Sequence, residues 1–323
     1  MKKLKRIAVL CSGGDCAGMN TAVRSVTRTA IYYGIKVFAV AYGYQGLING
    51  ELTEFNRRSV SNIMNRGGTI LKTARSEEFK TKKGRAKAIR NLNKYKIDGL
   101  VVIGGNGSFK GAYALCKECE VKCIGIPGTI DNDINGTDYT IGSLTAVEVA
   151  LDAIDKIRDT ITSLERIFVI EVMGRDCGYI AMRVALAGGA EEVLLPGVKY
   201  DINKICHEIK AARKKGKISW ILVVAEGAGS AHNIAKTIEK KTDYETRVTV
   251  LGHIQRGGSP NALDRILASR LGADAVRLLM EGESDKAAGI VANRLVTTPF
   301  SIACQKKQES EEELYSLLKI LEA

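Results

Sequence analysis

The chain reads as an α/β protein built on mostly parallel sheets, and three observations predict it. Short β-branched runs alternate with stretches of helical period almost throughout the 323 residues. The runs are apolar along their whole length, as strands covered on both faces are. Several end directly in turns rich in glycine or aspartate that lead into the next helix. Taken in order, the strand candidates are residues 6–10, 36–41, 99–103, 123–126, 167–172, 193–195, 221–225, 248–251 and 289–292, with helices such as 145–160 and 202–215 between them. Near the C-terminus, Ser310-Glu311-Glu312-Glu313 ahead of Leu314, Leu317, Leu318 and Leu321 reads as a capping box opening an amphipathic helix. The length suits about two domains. Only four prolines interrupt the alternation, and no linker, low-complexity segment or internal repeat marks a boundary, so the domains are closely packed or interleaved.

Composition narrows the function classes. No apolar run approaches the roughly 18 residues of a membrane span. The basic start, Met1 to Arg6, runs into a short strand rather than a cleavage site, so the expectation is a cytoplasmic protein with no membrane partner. Eight cysteines in this length do not make a disulfide scaffold. Cys116, Cys119 and Cys123 lack the matching second pair of a zinc site and are expected to be structural. The net charge of +12 admits nucleic acid, an anionic surface or phosphorylated small molecules. With six Phe and one Trp, and no aromatic stripe among the basic residues, stacking on single strands is not expected, and nucleic acid is set aside as a partner. The densest basic run, Lys80 to Lys87, reads as a solvated loop and helix start.

The chemistry concentrates at strand ends. Pro127-Gly128-Thr129-Ile130-Asp131-Asn132-Asp133 delivers two carboxylates to the end of a buried strand, where open α/β sheets bind ligands. The alternative is an Asx-rich turn whose aspartates only bond their own backbone. Ser12-Gly13-Gly14-Asp15 and Gly104-Gly105-Asn106-Gly107-Ser108 each follow a strand and start a helix. Glycine backbone and helix-start N–H groups there favour phosphate oxygens, although neither loop matches the P-loop or dinucleotide fingerprint. Later come Glu171 to Arg175, Glu226-Gly227 and Leu251 to Gly258. Their arginines, carboxylates and His253 suit a phosphorylated polyol, with Arg on phosphate and Glu on hydroxyls.

In this order and spacing, Ser12-Gly13-Gly14-Asp15, Gly104-Gly105-x-Gly107-Ser108, Pro127 to Asp133, Met173-Gly174-Arg175 and Gly252-His253-Ile254-Gln255-Arg256-Gly257-Gly258 resemble the bacterial ATP-dependent 6-phosphofructokinase family over nearly the whole chain. The resemblance implies two similar three-layer αβα domains with the active site in the cleft between them, within a homotetramer. The larger, ATP-binding domain would hold residues 1–142 with 255–305. The smaller, fructose 6-phosphate-binding domain would hold 143–254 with 306–323. The implied reaction is the committed step of glycolysis, phosphorylation of fructose 6-phosphate at its 1-hydroxyl with ATP and Mg²⁺.

By the same resemblance Asp131 is the general base, with Thr129, Asp133 and Arg175 completing the catalytic set. ATP falls to Gly14, Tyr44, Arg75, Ser76 and the loop Gly105, Asn106, Gly107 and Ser108. The sugar phosphate falls to Thr129, Ile130, Asp131, Met173, Gly174, Arg175, Glu226, His253, Ile254, Gln255 and Arg256, with Arg166 and Arg247 reaching in from a neighbouring subunit. Magnesium falls to Asn106 and Asp133. An effector site for ADP or phosphoenolpyruvate falls on Arg24, Arg28, Arg57, Arg58, Arg158, Gly189, Glu191, Lys215 and Lys217. Pyrophosphate-dependent relatives typically carry Asp and Lys where this chain has Gly107 and Gly128, so the donor is expected to be ATP.

Five positions depart from the family pattern. Asn106 stands where an aspartate serves the metal, and the lost charge is expected to lower the rate by about 10²–10³ by analogy with other electrostatic groups. That departure motivates the alternative reading, a catalytically weakened nucleotide- and sugar-phosphate-binding regulatory protein. Ala17 replaces a proline, Ser76 an aromatic, and Arg58 with Asn62 makes the effector neighbourhood more basic.

Overall fold

Strand β1 (Arg6–Ser12) is buried at every position after its first, and its side chains point alternately to the two faces of a sheet. Such a strand needs helices on both sides. The computed structural model, which describes residues 4–161, 166–307 and 311–322, supplies them within two compact units. The first comprises Met1–Leu144 and Arg256–Gln308, the second Thr145–Gln255 and Glu309–Ala323.

In chain order β1 is followed by α1 (Met19–Tyr32), β2 (Lys36–Val40), α2 (Gly43–Asn49), β3 (Leu52–Phe55), α3 (Lys82–Lys94), β4 (Gly99–Gly104), α4 (Asn106–Cys116), β5 (Lys122–Pro127) and α5 (Ser143–Ile161). Next come β6 (Ile167–Val172), α6 (Tyr179–Ala187), β7 (Glu192–Leu194), α7 (Ile202–Lys214), β8 (Trp220–Ala225), α8 (Ala231–Thr242) and β9 (Thr246–Val250). The chain closes with α9 (Ala262–Met280), β10 (Lys286–Val291), β11 (Arg294–Pro299), α10 (Phe300–Ala303) and α11 (Glu312–Leu321).

The sheet of the first unit has the order β11-β10-β5-β4-β1-β2-β3. Its inner strands are parallel, and β3 and β11 run antiparallel at the edges. One face carries Ala8, Leu10, Leu100, Val102 and Cys123 into a core with Leu47, Leu92, Phe109 and Phe300. On the other, Gly99 looks toward Leu279 of α9, and α1 packs against α9. The register matters most for function. Ser12 pairs with Gly104, and Gly104 with Pro127, so the three loops that follow leave the sheet side by side at its carboxyl edge.

The second unit is built on the all-parallel sheet β7-β8-β6-β9. Ile167, Val169, Leu222 and Val224 pack beneath Ile205 and Ile209 of α7 and Ile234 and Ile238 of α8. Tyr179 of α6 is buried, with the Arg183 guanidinium 3.7 Å from its ring centre.

Strands β3 and β11 are absent from the sequence-based assignment. Each mixes apolar with polar residues and lies antiparallel at a sheet edge with half or more of its positions exposed, so neither carries the apolar run that reveals the buried parallel strands. The capping box needs correction in part. Ser310 lies outside the described residues, and Glu311 precedes the helix without a side-chain cap bond. The Glu311 carboxylate instead accepts from Arg183 at 2.7 Å.

Helix α3, which holds most of the basic run, has few buried residues and depends on its cap. The Thr81 hydroxyl accepts from Gly84 N at 3.0 Å. Thr81→Ala is expected to lower stability by about 1 kcal/mol, read as an earlier urea midpoint with unchanged slope.

Candidate active site

The first unit gathers three loops at its sheet edge. The Ser108 hydroxyl donates to Ser12 O at 2.9 Å, tying the two glycine loops together. A Cβ on Gly104 would stand 2.4 Å from both Ser108 Oγ and Ser12 O, so only glycine permits the approach. At Gly107 a Cβ would meet nothing within 4 Å, which leaves open space over the start of α4. That helix has no acidic residue in its first turn, so its N–H groups and dipole present positive potential to an anion.

Beyond β5, Gly128 N donates to Gly104 O at 3.0 Å and Thr129 N to Ile141 O at 3.1 Å. Asn132 adopts φ 52°, and its side chain bridges Asp138 O and Thr140 N. Asn132 thus clamps the loop to a segment six to eight residues further on, which is not an Asx turn. The flanking aspartates are held otherwise. Asp131 is 2% exposed, and its backbone N–H donates to the Thr129 hydroxyl at 3.2 Å. Asp133 is engaged by Asn106, whose Nδ2 donates to Asp133 Oδ2 at 2.8 Å and to Asp133 O at 3.2 Å. The Oδ1 atoms of Asn106 and Asp133 are buried without a hydrogen-bond partner among the described residues.

The remaining nucleotide candidates divide by exposure. Tyr44 is buried, stacks on Phe79 with ring centres 4.0 Å apart, and donates to Ser108 O at 2.5 Å. Burial, reinforced by the neighbouring Cys123 and Cys116, pushes its hydroxyl well above the ordinary tyrosine range. It braces the loop from beneath. Ser76 donates to Gln45 Oε1 at 2.7 Å, and Arg75 beside it is exposed. Arg256 belongs to this unit and lies over the first loop. Its Nη1 donates to Asp15 O at 3.1 Å and would stand 2.6 Å from a Cβ on Gly14.

The second unit assembles its own set. Gly174 and Arg175 have φ 140° and 51°, and both backbone N–H groups donate to Glu226 Oε1, at 3.2 and 2.7 Å. Gln255 is buried and its Oε1 accepts from Met173 N at 2.9 Å, so it positions that loop from inside. His253 and Ile254 are exposed beside it. Arg166 and Arg247 share one carboxylate absent from the sequence-based set: Glu245 accepts from Arg166 Nε at 2.6 Å and also bridges Arg247. These contacts hold the Glu245 carboxyl below its ordinary range, with the Arg166 hydrogen bond the larger cause. The signal was available, since Glu245 and Arg247 are two apart and fall on one side of an extended chain.

Residues 6–279 match the family model described as phosphofructokinase. The chain belongs to the phosphofructokinase family. A Clostridium tetani protein named ATP-dependent 6-phosphofructokinase is 55% identical over 318 residues, covering 98% of this chain and 99% of its own. A Bacillus subtilis protein of the same name is 54% identical with the same coverage. The solved structure of phosphofructokinase from Saccharomyces cerevisiae superposes with TM-score 0.86 at 36% identity over 98% of this chain; the chain spans 47% of that longer protein.

Within this phosphofructokinase the effector candidates fall in both units. Arg24 and Arg28 are one turn apart on α1. Burial first, then the Arg28 charge, lowers the Arg24 pKa. Arg57 and Arg58 line an open groove of about 640 Å³ with Lys36, Glu54 and Phe55. Lys36 begins β2, so the groove opens at the end of the parallel strands opposite the glycine loops. In the second unit Arg158 donates to Gly188 O and Gly189 O at 2.5 and 2.6 Å. Lys217 bridges Glu191 at 3.0 Å and Glu322 at 3.3 Å, and Lys215 is exposed. Burial works against the Lys217 charge, but the two carboxylates outweigh it and raise its pKa.

The family implies Mg²⁺, and the buried oxygens fit one. Asn106 Oδ1 and Asp133 Oδ1 are two hard acceptors with no other partner among the described residues. Mg²⁺ suits such a short set because it takes its remaining ligands from water and substrate phosphates. No group of three or more His, Cys, Asp or Glu among the described residues is placed to hold a metal alone.

Proposed function

We propose that this phosphofructokinase transfers the γ-phosphoryl group of ATP to the 1-hydroxyl of fructose 6-phosphate, giving fructose 1,6-bisphosphate and ADP. The observation that carries the reading is Asp131, a buried carboxylate on the loop that emerges beside both glycine loops. As sugar O1 bonds to the γ-phosphorus, the Asp131 carboxylate receives the hydroxyl proton. The bond from phosphorus to the β–γ bridging oxygen breaks, and ADP leaves with that electron pair. Such a transfer needs alignment and charge stabilisation more than covalent help.

In this reading the N–H groups at the start of α4 and Arg75 hold the nucleotide phosphates. Tyr44 and the Ser108–Ser12 bond keep that loop rigid. Asn106 and Asp133 would hold Mg²⁺, which when bound offsets negative charge on the transferring group. The loop braced by Glu226 and Gln255, with Arg175, His253 and Arg256, would bind the sugar phosphate. Arg166 and Arg247 would act from a neighbouring subunit of a homotetramer, and Glu245 orients both. ADP or phosphoenolpyruvate would bind at the effector residues. The regulatory alternative is not favoured, because relatives at 55% and 54% identity over 98% of the chain carry an enzyme's name.

Turnover of purified protein, with ATP or pyrophosphate against fructose 6-phosphate or tagatose 6-phosphate, tests the reading. ATP-dependent production of fructose 1,6-bisphosphate is expected, and faster turnover with pyrophosphate would overturn the choice of donor. Gly107 provides a sharper check. The space around it accepts a side chain without collision, so Gly107→Asp is expected to fold with an unchanged melting temperature. The new carboxylate meets the nucleotide phosphates instead. KM for ATP should rise by about tenfold, while KM for the sugar phosphate stays the same.

A further inference from the structure

The end of α11 reaches one of the effector candidates. Glu322 follows the helix directly, its N–H donating to Leu318 O at 3.1 Å, and its carboxylate accepts from Lys217 Nζ at 3.3 Å. The same Nζ lies 3.0 Å from Glu191. The two carboxylates are held very differently. Glu191 is buried, its Oε2 accepts from Ile221 N at 2.5 Å and its own N–H donates to Ile221 O at 3.0 Å, so β8 fixes both its backbone and its side chain. Among the described residues the Glu322 carboxylate has only Lys217 as a hydrogen-bond partner. Ile320 and Leu321 before it are 71% and 64% exposed, so no packing holds this end of the helix down. A carboxylate at a helix C-terminus also faces the negative end of the helix dipole, which disfavours it there. Burial first, then the Glu191 charge, raises the Glu322 pKa, with Lys217 and Arg158 pulling the other way. Lys217 is what keeps Glu322 in place.

We infer that the Glu322 carboxylate is a tethered competitor for the effector: it occupies Lys217 in the free protein, and a phosphate-bearing anion must displace it to bind there. With Arg158, Glu191 and Lys217 taken as effector residues, the reading on which this rests, the free site already holds an anion of its own. A ligand with two or more negative charges offers Lys217 and Arg158 more than one carboxylate does. Since Glu191 is pinned to β8, Glu322 is the partner that gives way. The displacement is local. Arg183 holds Glu311 at 2.7 Å at the start of α11, the buried Glu192 accepts from Tyr315 at 3.2 Å and Lys319 at 2.5 Å, and Leu318 is buried. Those contacts stay closed while the last residues swing free.

The competition sets the affinity of the site. A ligand that binds only the opened form has its apparent Kd divided by the fraction of molecules that are open. The Lys217 side chain is 37% exposed, and ion pairs so close to water are weak. Opening therefore costs the effector about three- to fivefold in affinity.

Trp220, the single tryptophan of the chain, reports on the site, since Lys217 Nζ lies 5.2 Å from its ring centre. Full-length protein is titrated with phosphoenolpyruvate and, separately, with ADP, following Trp220 emission. For the ligand that binds more tightly, Glu322→Gln is expected to lower Kd by about three- to fivefold, and Lys217→Ala to abolish the response. Glu311→Gln breaks the ionic contact at the other end of the helix and should leave Kd within about twofold. Binding that needs Lys217 but is equally tight in Glu322→Gln would overturn the competition and leave the effector site standing. Equal tightening by Glu311→Gln would also overturn it, because a general loosening of α11 would then be the cause. No binding, or binding indifferent to Lys217→Ala, would remove the effector site and the competition with it.

Discussion

Asp131→Asn is expected to lower turnover by about 10²–10⁴-fold, the range that a positioned proton acceptor supplies. The amide keeps the shape of the carboxylate and takes no proton at neutral pH. The surrounding loop should survive the change. It is held by Gly128 N on Gly104 O, Thr129 N on Ile141 O and the Asn132 bridges, none of which uses the Asp131 carboxylate. The Asp131 N–H to Thr129 bond is a backbone donation and also persists. Asn has nearly the same volume as Asp, so the substitution leaves no cavity at this buried position. The expected pattern is therefore kcat reduced, KM for both substrates within about threefold and the melting temperature retained. Turnover within about tenfold of the unaltered protein would place the proton acceptor elsewhere.

Much of the site was legible because the fold converts sequence order into a straight edge. Apolar runs ending in Ser12, Gly104 and Pro127 read as parallel strands, and parallel register alone brings their loops together. The glycine at 104 has a reason that the sequence could only suggest, which is the approach of Ser108 to Ser12. What escaped reading was carried by long-range partners. Glu245 as a shared anchor for two arginines, Gln255 as a buried brace for Met173 and Tyr44 as a support beneath the loop follow from packing between distant segments. Strands β3 and β11 escaped for the opposite reason. At a sheet edge, one side of the ladder and much of the surface remain in water, so polar residues are tolerated and the apolar signal fades.

The Asn106 departure takes on a different meaning once its contacts are known. As read from sequence it is a missing charge. In the fold it is also a donor, because Nδ2 holds Asp133 at Oδ2 while leaving both Oδ1 atoms buried and available. An aspartate cannot make that donation. Asn106→Asp would bring two carboxylates close enough to repel by roughly 4 kcal/mol at an effective dielectric near 20. A proton or a cation must then share them. Mg²⁺ reverses the balance by replacing the proton with two positive charges. The variant is expected to bind Mg²⁺ about 10²-fold more tightly beside a non-hydrolysable ATP analogue, the attraction exceeding the repulsion it relieves. Calorimetric titration and the Mg²⁺ dependence of melting temperature read this without turnover, and turnover at limiting Mg²⁺ should rise in parallel. Unchanged Mg²⁺ affinity would mean that Asn106 serves only to orient Asp133, and that the metal is held without it.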